Sequence, residues 1–500
     1  MKEYRNIIFV LAFGLILFTI LSCFPDPPQG PFDARDYTRL TGMKLEQHPW
    51  ASLIEPLTAP LQIVAGAPDF RISGLSLLIW VFVGAGARGV FAEIRRRNGR
   101  GRLAALHRGL RTALAASATL AFLIFCLVMA RIPGWRLVVD DPNLIVADLH
   151  SHTVESFDGL ISAKTNLEWH ASCGYSLVGL TEHDSLFAHD TETAADPDFE
   201  RLPPSISGVE AHTGPGIMVV ALCGDSHVQL AVPQIGEPHN RTAWFTKHVH
   251  EDCGGAVFVV TMNNLKPADI SRLVDNGVDG FEIINCGHPA LKADLRRALL
   301  DARQSSGIAL LSVTDWHGWG GMTRAWTVIK TSGPSAPSRR ETGLAAIRKI
   351  KARNGTDVIP VVAGYMGVPS PARVVLSPVF ETLRYARELS PVRVLSWWVW
   401  VWAVFALWLV LRRIGLQPGS VLASSLLGAI GLGLLFAGFS LLGESAGHAA
   451  PFSVRMAIVT TAAGAAALLA SLAAGLFIWR KGRIADYPRR DQNNSNNARE

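Results

Sequence analysis

This sequence has few cysteines, and its C-terminal hydrophobic segments contain no acidic residues. Its 500 residues include six cysteines, none of them in a C-x-x-C pair, so the sequence has no zinc-ribbon signature. Three long hydrophobic segments, 395–411, 420–442 and 456–479, contain no Asp, Glu or Lys. Because a proton or ion pathway normally needs such groups within the bilayer, this absence argues against a transporter.

Charged residues are also sparse, and hydrophobic ones are abundant. Only 18% of the residues are charged, 49% are hydrophobic and the mean hydropathy is +0.25, which is too apolar for a purely soluble enzyme. The apolar residues gather toward both ends of the chain. Six segments there are long enough to cross a hydrocarbon core of about 30 Å at ~1.5 Å per residue. They are 6–24, 72–92, 112–130, 395–411, 420–442 and 456–479.

These segments divide the chain into four parts. Residues 1–131 form an N-terminal membrane region with three spans, and residues 391–483 form a C-terminal one with three more. Residues 132–390 form the domain between them, and the polar tail 484–500 is predicted to be disordered. The alternative for 6–24 is a cleaved signal sequence, which leaves the central domain on the same side of the membrane.

Basic residues give the orientation. The connection between the second and third spans carries seven arginines, which marks it as cytoplasmic. They are Arg95, Arg96, Arg97, Arg100, Arg102, Arg108 and Arg111. Basic residues beside the first, fourth and sixth spans fall on the same side. The central domain is therefore predicted to face the periplasm or cell exterior from the cytoplasmic (inner) membrane. These flanks account for the net charge of +6, so no nucleic-acid partner is expected.

Histidine and aspartate follow predicted β-strands at three places in the central domain. His150 and His152 follow the apolar run 144–147, His183 follows 177–180, and Asp315 and His317 follow 308–313. In β/α barrels the C-terminal ends of the strands converge on one mouth. Imidazoles and carboxylates are ligands for divalent metal ions, so the pattern predicts a metal centre at that mouth.

The order of the motifs resembles the PHP (polymerase and histidinol phosphatase) family. The matching stretches are D-L-H-S-H-T, S-F-D-G, T-E-H-D, G-V-E, D-G-F-E-I-I-N and T-D-W-H-G, within roughly residues 145–350. The resemblance implies an α/β fold, a distorted seven-stranded β/α barrel, here placed between two groups of three transmembrane helices. It also implies two or three bound metals, usually zinc, manganese or iron, and most often the hydrolysis of phosphoesters.

The resemblance also assigns ligands. It implies one metal held by His150, His152, Glu210 and Asp315, and a second held by Asp158, His183 and His317. Met218 and Met262 stand where the family often has third-site histidines, and thioethers are poor ligands for hard ions. Two divalent ions (Zn, Mn or Fe) are therefore predicted. His212, His227 and His288 stay open as substitutes. Glu182 departs from the Asp common in the family, and His170 is predicted to be structural.

A function follows from these expectations. Water activated by two metals would attack a phosphoester on the outer face of the membrane. His152 or His317 would give a proton to the leaving group, and Arg324 would contact phosphate through its planar fork or else be a surface residue. The expected partners are the lipid bilayer and a small-molecule or lipid head-group phosphoester. The alternatives are a metal-dependent ester or amide hydrolase and a non-catalytic metal-binding membrane scaffold or sensor.

The predicted sidedness is testable with reporter fusions. A phosphatase reporter that works only outside the cytoplasm should be active when fused near Asp141. It should be silent when fused near Arg100 or after Arg483, because the arginine-rich connection stays inside. The opposite pattern of activity would place the central domain in the cytoplasm.

Overall fold

The structure of this chain is a computed structural model. It describes residues 2–24, 30–65, 70–96, 102–132, 134–186, 197–224, 241–320, 324–331, 338–414, 416–446 and 450–486.

A curled sheet of ten strands forms the centre of the described structure, with a separate pair of strands beside it. The strands are β1 Phe32–Asp33, β2 Met43–Gln47, β3 Trp135–Val139, β4 Leu144–Ser151, β5 Leu177–His183, β6 Ser205–Gly214, β7 Ile217–Leu222, β8 Ala256–Val260, β9 Gly280–Asn285, β10 Ala309–Val313, β11 Ala325–Lys330 and β12 Val358–Val362. The large sheet has the order β1-β12-β11-β4-β5-β6-β7-β8-β9-β10, and β2 pairs with β3.

The α/β class is confirmed, but the predicted count of seven strands is wrong for the described sheet. Parallel pairs join β4 to β5, β5 to β6, β8 to β9 and β9 to β10. The extra strands are antiparallel. A short turn through Gly216, whose φ of 68° suits glycine, reverses β6 into β7. On the other side of β4, strands β11, β12 and β1 add further antiparallel pairs.

The sheet curls until its β10 edge meets β11 and the end of β4. The backbone N–H of Ser312 donates to Oγ1 of Thr327 at 3.0 Å, and that hydroxyl donates to the carbonyl of Ser312 at 2.8 Å. Beyond β10, the N–H of Asp315 donates to the carbonyl of His150 at 2.9 Å. The C-terminal ends of the parallel strands therefore lie around one mouth, as in a β/α barrel.

Apolar side chains fill the inside of the curl. Leu149, Phe258 and Leu311 are fully buried there from β4, β8 and β10. Helix Arg339–Lys351 adds Ile347 and Ile350 to the same core, and its N-terminus is capped by Ser338, which accepts from the N–H of Glu341. The inside of the curl is therefore a packed apolar core below the mouth.

The helices fall into two groups. Those around the sheet are Ala163–Ser172, Arg241–Asp252, Pro267–Asp275, Ala293–Ser306 and Arg339–Lys351, with Glu55–Ala65, Pro371–Val375 and Ser377–Arg387 nearer the long apolar helices. The long apolar helices are Lys2–Ser22, Phe70–Arg96, Arg102–Met129, Pro391–Arg413, Pro418–Glu444 and Pro451–Asp486. Short 3-10 turns cover Pro49–Ile54 and Pro197–Arg201.

Among the residues that the structure describes, five helices are long and apolar enough to cross a membrane. The spans are Ser73–Arg95, Leu103–Cys126, Pro391–Arg413, Ser420–Glu444 and Pro451–Ile478. The first helix has a shorter described apolar part, Ile8–Ser22, so the sixth span stays a prediction. Arg108 and Arg111, predicted to lie in a loop, are in helix Arg102–Met129, and Nη1 of Arg108 donates to Oε2 of Glu93 at 2.8 Å.

Strand pairing shows that the segments before and after one pair of apolar helices lie on the same side of that pair. β1 and β2 precede the helical pair of Phe70–Arg96 and Arg102–Met129, yet they pair with β12 and β3, which follow it. The chain therefore leaves and returns to the same side of that helical pair, as the predicted topology requires. Which side of the membrane this is stays a prediction.

A buried ionic network joins helix Glu55–Ala65 to helices Ser377–Arg387 and Pro391–Arg413. The guanidinium of Arg393, at the start of helix Pro391–Arg413, donates to the side-chain oxygens of Glu55 and Gln62. The hydroxyl of Tyr385 donates to the same oxygen of Glu55 at 2.7 Å, and the indole N–H of Trp397 donates to that hydroxyl at 2.9 Å. Glu55 and Arg393 are both buried.

Removing the arginine of this network should destabilise the protein strongly. Arg393→Ala leaves the carboxylate of Glu55 buried without its cationic partner, and loss of one member of a buried ion pair costs about 3–5 kcal/mol. The measurement is the midpoint of thermal unfolding in detergent. The control is Lys44→Ala, which breaks the exposed pair of Lys44 and Glu46 and should leave the midpoint unchanged. Equal shifts for the two variants would contradict a stabilising role for the buried network.

Candidate metal centre

Seven side chains converge at the mouth of the curled sheet. His150 is the last residue but one of β4, and His152 directly follows that strand. His183 is the last residue of β5, and Glu210 lies in β6. The remaining three come from loops: Asp158 from the loop after β4, and Asp315 and His317 from the loop after β10. These are the seven metal residues predicted from the sequence.

Local backbone geometry brings the first and last of these residues together. The N–H of His152 donates to the carbonyl of Trp316 at 2.8 Å, beside the bond from Asp315 to His150. Asp315 has a φ of 53°, a left-handed conformation that aspartate tolerates better than most residues. A Cβ at Gly287 would lie 2.4 Å from Oδ2 of Asp315, so a larger residue there would displace this carboxylate.

Four of the residues form a first group. Nε2 of His150 and Nε2 of His152 lie 3.0 Å apart. Oε2 of Glu210 is 3.4 Å from each of these two nitrogens. Oδ1 of Asp315 lies 3.5 Å from Nε2 of His150 and 3.4 Å from that of His152. This is the set predicted for one metal.

The other three residues form a second group beside it. Oδ1 of Asp158 lies 3.2 Å from Nε2 of His183 and 3.4 Å from Nε2 of His317. The ring of His152 stacks on both imidazoles, with centroids 4.4 Å from His183 and 4.2 Å from His317. Oε2 of Glu210 is also 3.0 Å from Nδ1 of His183. His152 and Glu210 therefore border both groups.

The hydrogen bonds of the four imidazoles leave Nε2 turned toward the centre. Nδ1 of His150 contacts Oε1 of Glu282 at 2.7 Å, and Nδ1 of His152 contacts the hydroxyl of Ser156 at 2.9 Å. Nδ1 of His317 contacts the carbonyl of Asp315 at 2.9 Å, whereas Nδ1 of His183 contacts Oε2 of Glu210, itself one of the seven donors. With a proton on Nδ1 of His150, His152 and His317, the Nε2 of each presents a lone pair, the arrangement used by metal-binding histidines.

The donor set fits divalent metal ions. Ligand atoms about 2.1 Å from an ion are about 3.0 Å apart in octahedral and about 3.4 Å apart in tetrahedral geometry. The donor distances given above, 3.0 to 3.5 Å, are close to this range. Nε2 of His183 and Oδ1 of Asp158 are buried atoms without a hydrogen-bond partner, as expected for two lone pairs aimed at one point. Nitrogen and oxygen donors of this kind suit Zn, Mn or Fe.

Burial and neighbouring charges set the pKa values here. Burial, with the nearby His317, lowers the pKa of His152 to about 4, so this ring is neutral at pH 7. Burial also lowers the pKa of His183, but its contacts with Asp158 and Glu210 outweigh that effect and raise the pKa to about 10. A metal ion must displace the proton from His183, so metal affinity should rise with pH.

Buried carboxylates behind the centre were not assigned from the sequence. Burial raises the pKa of Glu282, in β9, to about 7, and Nδ2 of Asn285 donates to its Oε2 at 2.8 Å. Glu182 accepts from the N–H of Thr153 at 3.1 Å and from the hydroxyl of Ser156 at 2.6 Å, which holds the loop behind His152. The sequence signal for both residues is a glutamate within the apolar run of a buried strand, which indicates a carboxylate with a buried partner.

Other predicted residues lie near the centre or away from it. His170 is buried, with Nε2 2.8 Å from Oδ2 of Asp148, which fits its predicted structural role. Met218 and Met262 pack against the apolar core. Nε2 of His288 lies 3.7 Å from Oδ2 of Asp315, whereas His212 is exposed on β6. His227 falls outside the described residues.

Arg324 is buried at the start of the segment that leads into β11. Its Nε and Nη2 donate to the carbonyl of Ala363 at 3.0 and 2.7 Å. It is therefore not a surface residue, so that alternative is wrong. The predicted contact of Arg324 with phosphate stays a prediction.

Comparisons with known proteins add little to this geometry. No family model matches the chain, and no curated protein matches it. Among solved structures, a protein assigned as a metal-dependent phosphoesterase from Bifidobacterium adolescentis is 15% identical, with a TM-score of 0.30 over 41% of this chain and 96% of that one. An amidohydrolase from Chromobacterium violaceum is 18% identical, with a TM-score of 0.26 over 41% and 96%. PsfC from Pseudomonas syringae is 13% identical, with a TM-score of 0.30 over 49% and 100%. At these TM-scores the resemblance to the PHP family stays a prediction.

The two groups predict different metal losses on mutation. Asp158→Ala should leave about one ion per chain, because Asp158 borders only the second group. Glu210→Ala should deplete both ions, because Glu210 borders both groups. Elemental analysis of the purified variants measures this.

Glu155→Ala is the matched control, since Glu155 lies in the same loop as Asp158 but outside the seven donors. It should keep the metal content of the unmutated protein, about two ions per chain. Three tightly held ions, or equal losses in Asp158→Ala and Glu210→Ala, would show that the two groups are assigned wrongly.

Proposed function

We propose that this chain is a membrane-bound, metal-dependent phosphoesterase. The observation that carries the proposal is the convergence of four imidazole Nε2 atoms and three carboxylates at one mouth, at donor separations that suit two adjacent ions. A structural zinc site would need four donors that close around one ion. Seven donors in two adjoining groups suit a hydrolytic centre better.

His150, His152, Glu210 and Asp315 would hold one ion, and Asp158, His183 and His317 the second. Bound there, the ions would polarise a phosphoryl group and lower the pKa of water toward neutrality. The protein's own contribution is orientation. Glu282 fixes the ring of His150 from behind, and Ser156 with Glu182 fixes that of His152.

The proton for the leaving group needs a separate donor. His152 and His317 were the candidates from the sequence, but ligation through Nε2 and a hydrogen bond through Nδ1 engage both nitrogens of each ring. His288 lies at the edge of the centre, is 27% exposed and is not one of the seven donors. We therefore assign proton transfer to His288 and ligation alone to His152 and His317.

The proposed location limits the substrate. With the central domain outside the cytoplasmic membrane, the substrate is a small-molecule or lipid head-group phosphoester outside the cell or in the periplasm. The five apolar helices support a membrane protein. Hydrolysis of a carboxylic ester or amide, and metal binding without turnover, are the outcomes that a substrate screen must separate from phosphoester hydrolysis.

The screen uses the purified full chain loaded with Zn, Mn or Fe in turn. Phosphomonoesters, phosphodiesters and carboxylic esters are offered to each form. We expect phosphoester hydrolysis that a chelator stops and that falls at least about a hundredfold in the variant with both His150→Ala and His152→Ala, because metal ions supply several kcal/mol of transition-state stabilisation. Hydrolysis of carboxylic esters alone would replace phosphoesterase with esterase. The absence of any turnover by metal-loaded protein would favour the non-catalytic metal-binding scaffold or sensor.

A further inference from the structure

The loops that carry metal donors are attached to the ends of membrane helices. The hydroxyl of Ser453, the third residue of helix Pro451–Asp486, donates to the carbonyl of Leu160 at 3.2 Å. The N–H of Gly320 donates to the carbonyl of Val128, near the end of helix Arg102–Met129, at 3.0 Å. Both loops at the mouth are therefore fixed to helices that qualify as membrane spans.

A third membrane helix joins them through its last residue. The carboxylate of Glu444, which ends helix Pro418–Glu444, accepts from the N–H of Ser162 at 2.9 Å and from the hydroxyl of Thr165 at 2.6 Å. These groups lie at the N-terminus of helix Ala163–Ser172, where a negative charge is favourable. The loop after Asp158 is thus held by two membrane helices at once.

These attachments place the metal centre at the depth of lipid head groups. Asp158 precedes Leu160 by two residues, which span about 7 Å at most. The N–H of Leu160 donates to the carbonyl of His317 at 3.0 Å, so the second group of donors shares this depth. The head-group layer on each side of the hydrocarbon core is about 5–8 Å thick. The centre and that layer therefore overlap in depth.

Two exposed aromatic side chains flank the same donors. Phe157 precedes Asp158, is 67% exposed and stacks on the ring of His183 with centroids 4.7 Å apart. Trp319 lies two residues after His317, is 47% exposed and adjoins Gly320, which contacts the membrane helix. Aromatic side chains favour the boundary between water and lipid, so both side chains suit contact with the apolar part of a leaflet.

We propose that the substrate is a phosphoester carried by a membrane amphiphile, bound with its apolar part in the leaflet and its phosphate at the metal centre. This inference rests on the proposed function and names its substrate class. In the reaction, the oxygen of one water molecule bonds to phosphorus as the ester P–O bond breaks. One water hydrogen ends on the leaving oxygen, and the other is lost from the attacking oxygen or stays on the phosphate product.

The experiment compares lipid-borne and free phosphate with the same head group. The full chain in nanodiscs, loaded with manganese, is given phosphatidic acid in the disc or glycerol 3-phosphate in solution. Phosphatidylglycerol and glycerophosphoglycerol form the matching diester pair, and p-nitrophenyl esters serve as soluble reporters. Since burying one apolar side chain contributes about a tenfold preference, we expect at least one lipid to be hydrolysed about tenfold faster than its soluble partner at equal phosphate concentration.

The outcomes separate this inference from the function beneath it. Hydrolysis of the p-nitrophenyl esters without any preference for the lipid-borne partners would overturn the inference and leave the phosphoesterase standing. No hydrolysis of any phosphoester by metal-loaded protein would overturn both.

Matched tryptophan variants test the route. Trp319→Ser should lower the ratio of lipid to p-nitrophenyl ester hydrolysis about tenfold with metal content unchanged, because it removes an apolar contact at the entrance. Trp244→Ser is the control, since Trp244 is similarly exposed (43%) but lies on helix Arg241–Asp252, which packs on another part of the sheet. It should leave the ratio unchanged. An unchanged ratio in Trp319→Ser, or the same drop in Trp244→Ser, would overturn the assigned entrance.

Discussion

The metal centre depends on the closure of the curled sheet, in which two backbone hydrogen bonds bring its donors together. They join Asp315 to His150 and His152 to Trp316, across more than 160 residues of chain. They hold the loop after β10 against the end of β4, which brings Asp315 beside His150 and His152. A donor must lie within about 0.5 Å of its productive position to bind an ion well. The site therefore forms only when the sheet is closed.

Most donors could be predicted from the sequence because the signals that mark them are local. An apolar run followed by His or Asp marks a strand end. β10 ends with its run, at Val313, whereas β4 and β5 continue past their runs to Ser151 and His183. The strand count could not be predicted in the same way, because pairing is decided by distant segments. β1 has two residues, Phe32 and Asp33, and joins the sheet only through β12. Nothing in so short a segment indicates a strand on its own.

The supporting residues were missed for a different physical reason. Glu282 supports the ring of His150, and Glu182 supports that of His152 through Ser156. These partners are distant in the sequence, and a hydrogen bond between side chains produces no periodic sequence pattern. Arg324 is a charged residue that the sequence allowed to be exposed. In the structure its guanidinium is buried and donates to the carbonyl of Ala363. Burial of a charge is decided by its partners, which the sequence does not show.

The most direct test of the account is to locate the bound ions in the manganese-loaded full chain by anomalous scattering. We expect two ions about 3.5–4 Å apart, the usual separation in two-metal hydrolases, with Glu210 between them. One ion should be held by His150, His152 and Asp315, and the other by Asp158, His183 and His317. A single ion in a closed tetrahedral site, or ions bound away from these residues, would contradict the two-metal centre.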